Sequence, residues 1–232
     1  MFELTPSYFF DLSSYEHASL FKGIKFVWEA FKKIDPYLKS VDLGKIDIEI
    51  PSSAHIIHPE LISIGKGTIV EETAYIKGPC IIGENSVIRH GAYIRGSAII
   101  GNHCVVGHDT EVKEAIFLDY AHAAHFAYVG NSVLGNRVNL GAGTKCANLK
   151  FDGKNIAFRY KDEEFQTNLR KFGAIVGDDA QLGCNSVANP GTLLGKGSFC
   201  YPCVSFGGFL PEKHIVKSSS QVIMKSKERL LK

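Results

Sequence analysis

The sequence predicts an all-β solenoid, a parallel β-helix in which short strands are joined by tight turns. Aliphatic residues recur at every sixth position, and a small residue follows four positions after each of them. The aliphatic positions of the first block are Ile64, Val70, Ile76, Ile82, Ile88, Ile94, Ile100, Val106 and Val112. Their small partners are Thr68, Ala74, Cys80, Ser86, Ala92, Ala98, Cys104 and Thr110.

A second block of hexads follows the same rule. Its aliphatic positions are Val176, Leu182, Ala188, Leu194, Cys200 and Phe206. Between the blocks, Leu134-Gly135 and Leu140-Gly141 carry the same aliphatic–glycine pattern. An α-helix repeats every ~3.6 residues, so a period of six instead predicts coils that stack and bury their core only against their neighbours.

The β-helix should extend over residues 55–208. One excursion, residues 148–172, interrupts it with charged and aromatic residues and contains no hexads. Insertions in repeat proteins often lie on the binding face, so this segment is either a binding loop or a passive surface loop.

The two ends differ from the repeat. In residues 1–54, apolar residues follow helical spacing between positions 13 and 39, and Pro36 should end the helix. We expect this N-terminal helical region to cap the first coil, because an open coil edge invites aggregation. Residues 209–232 should form a basic tail with a short C-terminal helix, which either binds an acidic group such as a CoA phosphate or stays solvated.

Composition favours a soluble cytoplasmic protein. The 232 residues carry a formal charge of +2, so no strong attraction to nucleic acid or membrane is expected. No apolar run is long enough for a membrane-spanning helix, and the N-terminus lacks the pattern of a signal peptide. Six cysteines do not indicate a disulfide framework. Cys200 and Cys203 form a CxxC pair, which is either a zinc or redox motif or a product of the repeat.

Three stretches hold residue types that suit a reactive site. Residues 120–130 contain two histidines and two tyrosines among small residues. Residues 139–144 are rich in glycine, which lets a backbone approach a ligand closely. Arg95 and Lys113 are 18 residues apart, or three hexads, so they should stack on successive coils as a clamp for phosphate or carboxylate, or remain solvated surface charges.

The segments 125–130, 138–144, 146–148 and 152–153 resemble the acetyltransferase domain of the bacterial bifunctional glucosamine-1-phosphate acetyltransferase/N-acetylglucosamine-1-phosphate uridyltransferases. The resemblance covers about residues 76–208. It implies a left-handed β-helix, a homotrimer with sites between subunits, acetyl-CoA as donor and an amino-sugar phosphate or nucleotide sugar as acceptor. No metal is implied.

The resemblance also implies roles for individual residues. His125 matches the catalytic base, and Ala142 matches a backbone contact near the thioester, with Cys184 in a serine position near the acetyl group. The substrate-binding positions are Arg95, Lys113, Tyr128, Asn139 and Asn148. Accepting a proton from the attacking amine is worth roughly 10²–10⁴-fold in rate.

Several features depart from that family. Leu149 replaces a pocket tyrosine, Pro202 lacks the N–H that would contact the cofactor, and no uridyltransferase domain is present in the sequence. A non-catalytic sugar-phosphate-binding scaffold is therefore a second hypothesis. A third is a metal enzyme of the γ-carbonic anhydrase kind, which needs three converging histidines. The candidates for that site are His90, His103, His108, His122 and His125.

Overall fold

The computed structural model of the chain describes residues 2–218. The chain coils through three parallel sheets of eight strands and visits them in the order sheet 1, sheet 2, sheet 3. This architecture is a left-handed parallel β-helix, which confirms the predicted fold class. The turn from sheet 1 to sheet 2 is called the 1–2 corner, and the following two turns are called the 2–3 corner and the 3–1 corner.

The strands are short because each side of a coil is only a few residues wide. Sheet 1 contains His55–Ile57, Tyr75–Lys77, Tyr93–Ile94, Glu111–Lys113, Tyr128–Gly130, Lys145–Cys146, Val187–Ala188 and Ser205–Phe206. Sheet 2 contains Ile62–Ile64, Cys80–Ile82, Ala98–Ile100, Ala115–Phe117, Val133–Leu134, Ala174–Val176, Thr192–Leu194 and Phe209–Leu210. Sheet 3 contains Ile69–Val70, Val87–Ile88, Val105–His108, His122–His125, Asn139–Leu140, Gln181–Leu182, Phe199–Cys200 and Ile215–Val216.

The hexad residues form the core of the solenoid. Every aliphatic position from Ile64 to Val112, and every small partner from Thr68 to Thr110, is buried. Parallel pairing places each residue on the equivalent residue of the next coil, for example Ile82 on Ile100. The repeat therefore folds as predicted, with aliphatic side chains stacked inward.

The hexad phase is interrupted after Val112 because the corner that follows is one residue shorter. The step from sheet 1 to sheet 2 takes six residues from Ile94 to Ile100, but five from Val112 to Phe117. Glu114 turns this shorter corner with a left-handed φ of 48°. Stacking continues without a gap, although the sequence pattern shifts by one position.

The β-helix continues past residue 208, so the predicted end was wrong. Phe209–Leu210 joins sheet 2, and Ile215–Val216 joins sheet 3. The step from Phe206 to Leu210 takes only four residues, which removes the hexad phase while the strands still stack. The predicted C-terminal helix lies in residues 219–232, outside the described residues.

Short helices replace the single N-terminal helix that the sequence predicted. The N-terminal region contains the 3₁₀-helices Phe2–Leu4, Ala18–Phe21 and Val27–Ala30 and the α-helices α1 (Pro6–Phe9) and α2 (Phe31–Ser40). A further 3₁₀-helix, Pro59–Leu61, connects the first strands of sheets 1 and 2. Pro36 lies inside α2 and does not end it. Ile34 and Leu38, on either side of the proline, are buried, and this packing holds the helix in place.

The helical residues 2–40, which we call the N-terminal segment, pack along the side of the solenoid and do not cap its first coil, whereas residues 46–54 of the predicted cap region pack against its core. The outward residues of sheet 2 are apolar and form one buried cluster with this segment: Ile99, Ile116, Val133, Ile175 and Leu193. The Asp178 N–H donates to Phe9 O at 2.9 Å, which ties the segment to a later coil. The edge of the first coil is paired instead through Ile46, which bridges Ile64.

The excursion of residues 148–172 forms a hairpin that docks on the N-terminal segment. Its antiparallel strands are Ala157–Tyr160 and Glu163–Gln166. The rings of Phe158 and Trp28 meet edge to face with centroids 5.1 Å apart. The hairpin and the N-terminal segment therefore form one attached layer over sheet 2. No helix in residues 2–218 has the length and apolarity to cross a membrane.

Because the outward face of sheet 2 is covered, substitutions of its outward side chains should destabilise the protein more than substitutions of exposed side chains. We expect Ile116→Ala to lower the free energy of unfolding by about 2–5 kcal/mol, because it leaves a cavity beneath the N-terminal segment. Leu61→Ala, at a side chain that is 39% exposed, should cost less than about 1 kcal/mol. Chemical denaturation measures both, and equal losses would contradict the described cover.

Candidate functional site

The 1–2 corner brings together four of the predicted substrate-binding residues. Arg95 donates its N–H to Val112 O at 2.9 Å, which places it beside Lys113 on the next coil. Tyr128 begins the following sheet 1 strand, and Asn148 lies one coil further on. The 18-residue spacing therefore stacks the two cations as predicted.

Both cations of this corner already face carboxylates. Arg95 Nη1 donates to Glu111 Oε1 at 2.6 Å, and this hydrogen bond raises the pKa of Arg95. The Lys113 ammonium contacts the Glu114 carboxylate, and the Lys113 side chain is only 17% exposed. An anionic ligand of this corner would therefore compete with two internal counterions, which the sequence analysis did not identify.

A chain of hydrogen bonds extends from Glu114 across the corner. Asn131 Nδ2 donates to Glu114 Oε2 at 2.5 Å, and Asn148 Nδ2 donates to Asn131 Oδ1 at 2.7 Å. Burial raises the pKa of Glu114, but hydrogen bonds from Lys113 and Asn131 outweigh it and hold that pKa below its usual value of 4.5. The corner is thus a fixed polar network.

Gly130 leaves the space that this network occupies. A Cβ atom on Gly130 would lie 2.5 Å from Tyr128 Oη and 2.8 Å from Asn148 Nδ2. Burial raises the pKa of Tyr128, while the hydrogen bond with Asn148 opposes the rise. Glycine is therefore required here so that the tyrosine and the amide can lie over the strand.

The 3–1 corner holds the predicted base and both predicted cofactor-binding residues. His125 and Ala142 follow one another in this corner, since the Gly143 N–H donates to His125 O at 3.1 Å. Cys184 follows on the next coil, where the Asn185 N–H donates to Ala142 O at 2.8 Å. The predicted base and cofactor positions thus form one column.

Several groups in this column are open to a ligand. His125 is exposed, and its imidazole has no hydrogen bond or ion pair with any residue in 2–218. The N–H groups of Ala142 and Cys184 likewise find no acceptor within the described chain. Gly141 permits the tight stacking, because a Cβ there would lie 2.6 Å from Cys184 N.

A shallow groove of about 410 Å³ continues from this column onto sheet 3. Its walls are Asn139, Gly141, Gln181, Leu182, Gly183, Cys184, Phe199, Cys200, Tyr201 and Pro202. Asn139 therefore lies in the groove on sheet 3, apart from the other predicted sugar-binding residues. The clamp residues Arg95 and Lys113 and the His125 column lie at opposite ends of sheet 1, whose strand Tyr128–Gly130 is about 10 Å long at roughly 3.3 Å per residue.

Of the remaining histidines, His108 lies directly beside His125 at the 3–1 corner, since the two residues are in register. His90 and His108 stack at the 3–1 corner with ring centroids 5.2 Å apart, whereas His103 stacks on Tyr120. His122 is in register with Asn139 on sheet 3. Within residues 2–218, no three His, Cys, Asp or Glu side chains are grouped to hold a metal ion.

The CxxC motif belongs to the repeat. Cys200 is buried in the aliphatic column, and burial raises the pKa of its thiol. Cys203 is exposed, and all six cysteines are free thiols.

Comparisons with known proteins agree with the resemblance that residues 125–153 carry. Residues 76–169 match the family described as the GMPPB C-terminal domain. A bifunctional sugar-1-phosphate nucleotidylyltransferase/acetyltransferase of Sulfurisphaera tokodaii is 38% identical over 92 residues, covering 40% of this chain and 23% of that protein. The bifunctional protein GlmU of Methanococcus aeolicus is 29% identical over 120 residues, covering 52% of this chain and 29% of that protein. The resemblance drawn from the motifs is thereby confirmed, although the chain spans under a third of either relative.

Two solved acyltransferase structures align with part of the chain. A UDP-N-acetylglucosamine acyltransferase of Arabidopsis aligns with a TM-score of 0.49 and 13% identity, over 72% of this chain and 70% of that chain. The corresponding enzyme of Campylobacter jejuni aligns with a TM-score of 0.42 and 18% identity, over 72% and 69%.

The lowered pKa of Glu114 predicts a stability that depends on pH. A carboxyl group whose folded pKa is depressed stabilises the fold above its unfolded pKa, and this contribution is lost as the pH falls through the folded pKa. We expect Glu114→Gln to be less stable than the wild type at about pH 7, and the difference to shrink towards about pH 3. Denaturant titrations at both pH values measure it.

The matched control is Glu163→Gln on the exposed hairpin strand. It should follow the wild type at both pH values. A stability difference for Glu114→Gln that stays constant with pH would contradict the charged network at the 1–2 corner.

Proposed function

We propose that the chain transfers an acetyl group from acetyl-CoA to the amine of an amino-sugar phosphate or nucleotide sugar, with His125 as general base. The observation that carries the proposal is the exposed imidazole of His125, in one column with the open N–H groups of Ala142 and Cys184. The name of the Sulfurisphaera tokodaii relative includes an acetyltransferase, which supports acyl transfer.

The acceptor would lie along the strand Tyr128–Gly130. Its phosphate would bind Arg95 and Lys113 at the 1–2 corner, and its amine would point to His125 at the 3–1 corner. Tyr128 and Asn148 would contact the sugar between these ends. A cationic clamp at one end and a base at the other fix the direction in which the acceptor binds.

The transfer needs one proton acceptor and one oxyanion site. The amine attacks the thioester carbonyl while neutral His125 accepts its proton, a role worth roughly 10²–10⁴-fold in rate. The tetrahedral oxyanion would accept hydrogen bonds from backbone N–H groups such as that of Ala142. Collapse of the intermediate releases the CoA thiolate, which takes the proton from His125 to give the free thiol.

The groove on sheet 3 would hold the donor. Phe199 and Tyr201 offer apolar surface for the pantetheine arm, and Asn139 and Gln181 offer amides for its peptide groups. Pro202, two residues after Cys200, supplies no N–H at the far end of the column. Donor binding would therefore depend on Ala142 and Cys184 for its backbone hydrogen bonds.

A homotrimer is the assembly we propose, joined through sheets 1 and 3. Sheet 2 is already covered by the N-terminal segment and the hairpin. Sheet 3 still exposes large apolar side chains at Ile69 (57%), Phe199 (43%) and Ile215 (55%). Phe199 and Ile215 lie on neighbouring paired strands at one end of the sheet, and Ile69 lies at the other end. Contiguous apolar surface such as that of Phe199 and Ile215 is typical of association sites.

A non-catalytic binding protein is the second candidate. Pro202 lacks the N–H that a donor would contact at the far end of the column, while Arg95 and Lys113 still stack at the 1–2 corner. Such a protein would bind sugar phosphates without releasing thiol from acetyl-CoA.

Thiol release tests the proposal. Wild-type protein should release CoA from acetyl-CoA with glucosamine 1-phosphate or another amino-sugar phosphate or nucleotide amino sugar. His125→Ala should lose about 100-fold or more, because the base is removed. His103→Ala, which removes an imidazole at the 2–3 corner, is the matched control and should retain activity. Absence of thiol release with every acceptor would favour the binding protein.

Sedimentation tests the assembly. We expect a mass near three times the 25.5 kDa of one chain. A charge placed on the apolar surface, as in Ile215→Asp, should shift the mass to that of the monomer without loss of secondary structure. A monomeric wild-type protein would contradict the trimer.

A further inference from the structure

A cavity of about 340 Å³ lies where the excursion leaves the 1–2 corner, and we call it the neck pocket. Three parts of the chain build it: α2, the solenoid corner and the returning end of the excursion. Its lining residues are Phe31, Lys32, Glu114, Asn131, Asn168, Leu169, Arg170 and Lys171. Neither the proposed base nor the proposed donor groove belongs to it.

The neck pocket is held in shape by backbone pairing. Leu149 and Lys171 form an antiparallel bridge, and the Phe172 N–H donates to Asn148 O at 3.0 Å. The Gly173 N–H donates to Asn131 O at 2.8 Å, which fixes the floor. The pocket therefore exists before any ligand binds.

The lining carries an excess of positive charge. Lys32, Arg170 and Lys171 oppose one carboxylate, Glu114, which is already bonded to Lys113 and Asn131. None of these three cations forms an ion pair with a carboxylate of the described chain. Like charges gathered in one cavity repel, and an anion that binds among them relieves this repulsion.

The donors of the pocket suit an oxyanion. Arg170 donates Nε–H to Gly153 O at 3.2 Å, which anchors the guanidinium on the excursion. Its terminal N–H groups have no other hydrogen bond within residues 2–218 and can form a fork with two phosphate oxygens. Phe31, whose ring packs 5.3 Å from that of Phe172, adds an apolar wall.

We propose that the neck pocket binds a phosphate or diphosphate group of a small organic ligand, as an anion site separate from the Arg95–Lys113 clamp. The clamp cations have counterions, since Arg95 is bonded to Glu111 and Lys113 to Glu114, whereas none of the three pocket cations lies within ion-pair distance of a carboxylate in residues 2–218. Two sources share this chemistry: the diphosphate of a nucleotide-sugar acceptor, or the phosphoadenosine end of CoA. Binding to the pocket does not require that the chain catalyse acyl transfer.

Calorimetric titration of the full chain with inorganic pyrophosphate tests the site. Wild-type protein should bind pyrophosphate saturably, and salt should weaken the binding. Arg170→Gln and Lys171→Gln should each weaken it by about tenfold or more, because a charge-assisted hydrogen bond is lost. Both side chains are exposed, so the fold should persist, and thermal melting checks this.

Two variants locate the binding. Lys33→Gln removes the neighbouring exposed charge of α2, which does not line the pocket, and should leave pyrophosphate affinity unchanged. Arg95→Gln should remove only binding at the 1–2 corner clamp, and the pyrophosphate binding that is lost in Arg170→Gln should persist in it. An equal loss in Lys33→Gln, or abolition by Arg95→Gln with no effect of Arg170→Gln, would overturn the proposal.

Competition identifies the ligand class. Displacement of pyrophosphate by UDP, but not by adenosine 3′,5′-bisphosphate, assigns the pocket to the acceptor, and the reverse assigns it to the donor. If neither nucleotide displaces pyrophosphate, the pocket holds an adventitious ion only and the proposal fails. Each outcome is measured without turnover, so a failure of the transferase proposal stays distinguishable from a failure of this one.

Discussion

Each coil of this β-helix buries its aliphatic side chains only against the coils before and after it. That contact fixes the register of every strand pair, as in the column from Ile82 to Ile100. Once the register is fixed, the residues at each corner also form columns, because they occupy equivalent positions in successive coils. The candidate site consists of two such columns, one at each end of a sheet 1 strand.

Sheet 2 adds a second constraint, since its strands are apolar on both faces. The outward side chains of Ile99, Ile116 and Ile175 require cover, and the N-terminal segment supplies it. The hairpin of the excursion then packs on that segment through Phe158 and Trp28. This layer leaves sheets 1 and 3 as the open faces, and both candidate corners border sheet 1.

The shortened corner at Glu114 borders both the cationic clamp and the neck pocket. Its left-handed turn brings the carboxylate beside Lys113 and Asn131, and the same carboxylate lines the neck pocket. Asn131 in turn holds Asn148, where the excursion starts. A single hydrogen-bonded network thus connects Lys113, Glu114, Asn131 and Asn148 at this corner.

Sequence alone determined the solenoid, because burial at a period of six leaves a pattern that neither a helix nor a plain strand can produce. It also identified the stacked pair Arg95 and Lys113, since residues three hexads apart must meet on successive coils. The resemblance to acetyltransferases, which rests on residues 125–153, was likewise readable in advance and is matched by the relatives.

Tertiary structure decided what depends on contacts between distant segments. The N-terminal helices could not be placed from their spacing, because an apolar stripe does not specify the surface that it covers, and here the surface was sheet 2 and not the coil end. The end of the solenoid was misplaced because a four-residue corner before Leu210 keeps the stacking while it erases the period. The counterions Glu111 and Glu114, and the cations of the neck pocket, come together only through the coiling of the chain. Periodicity records what each coil buries, whereas the folded chain decides which charges share a corner.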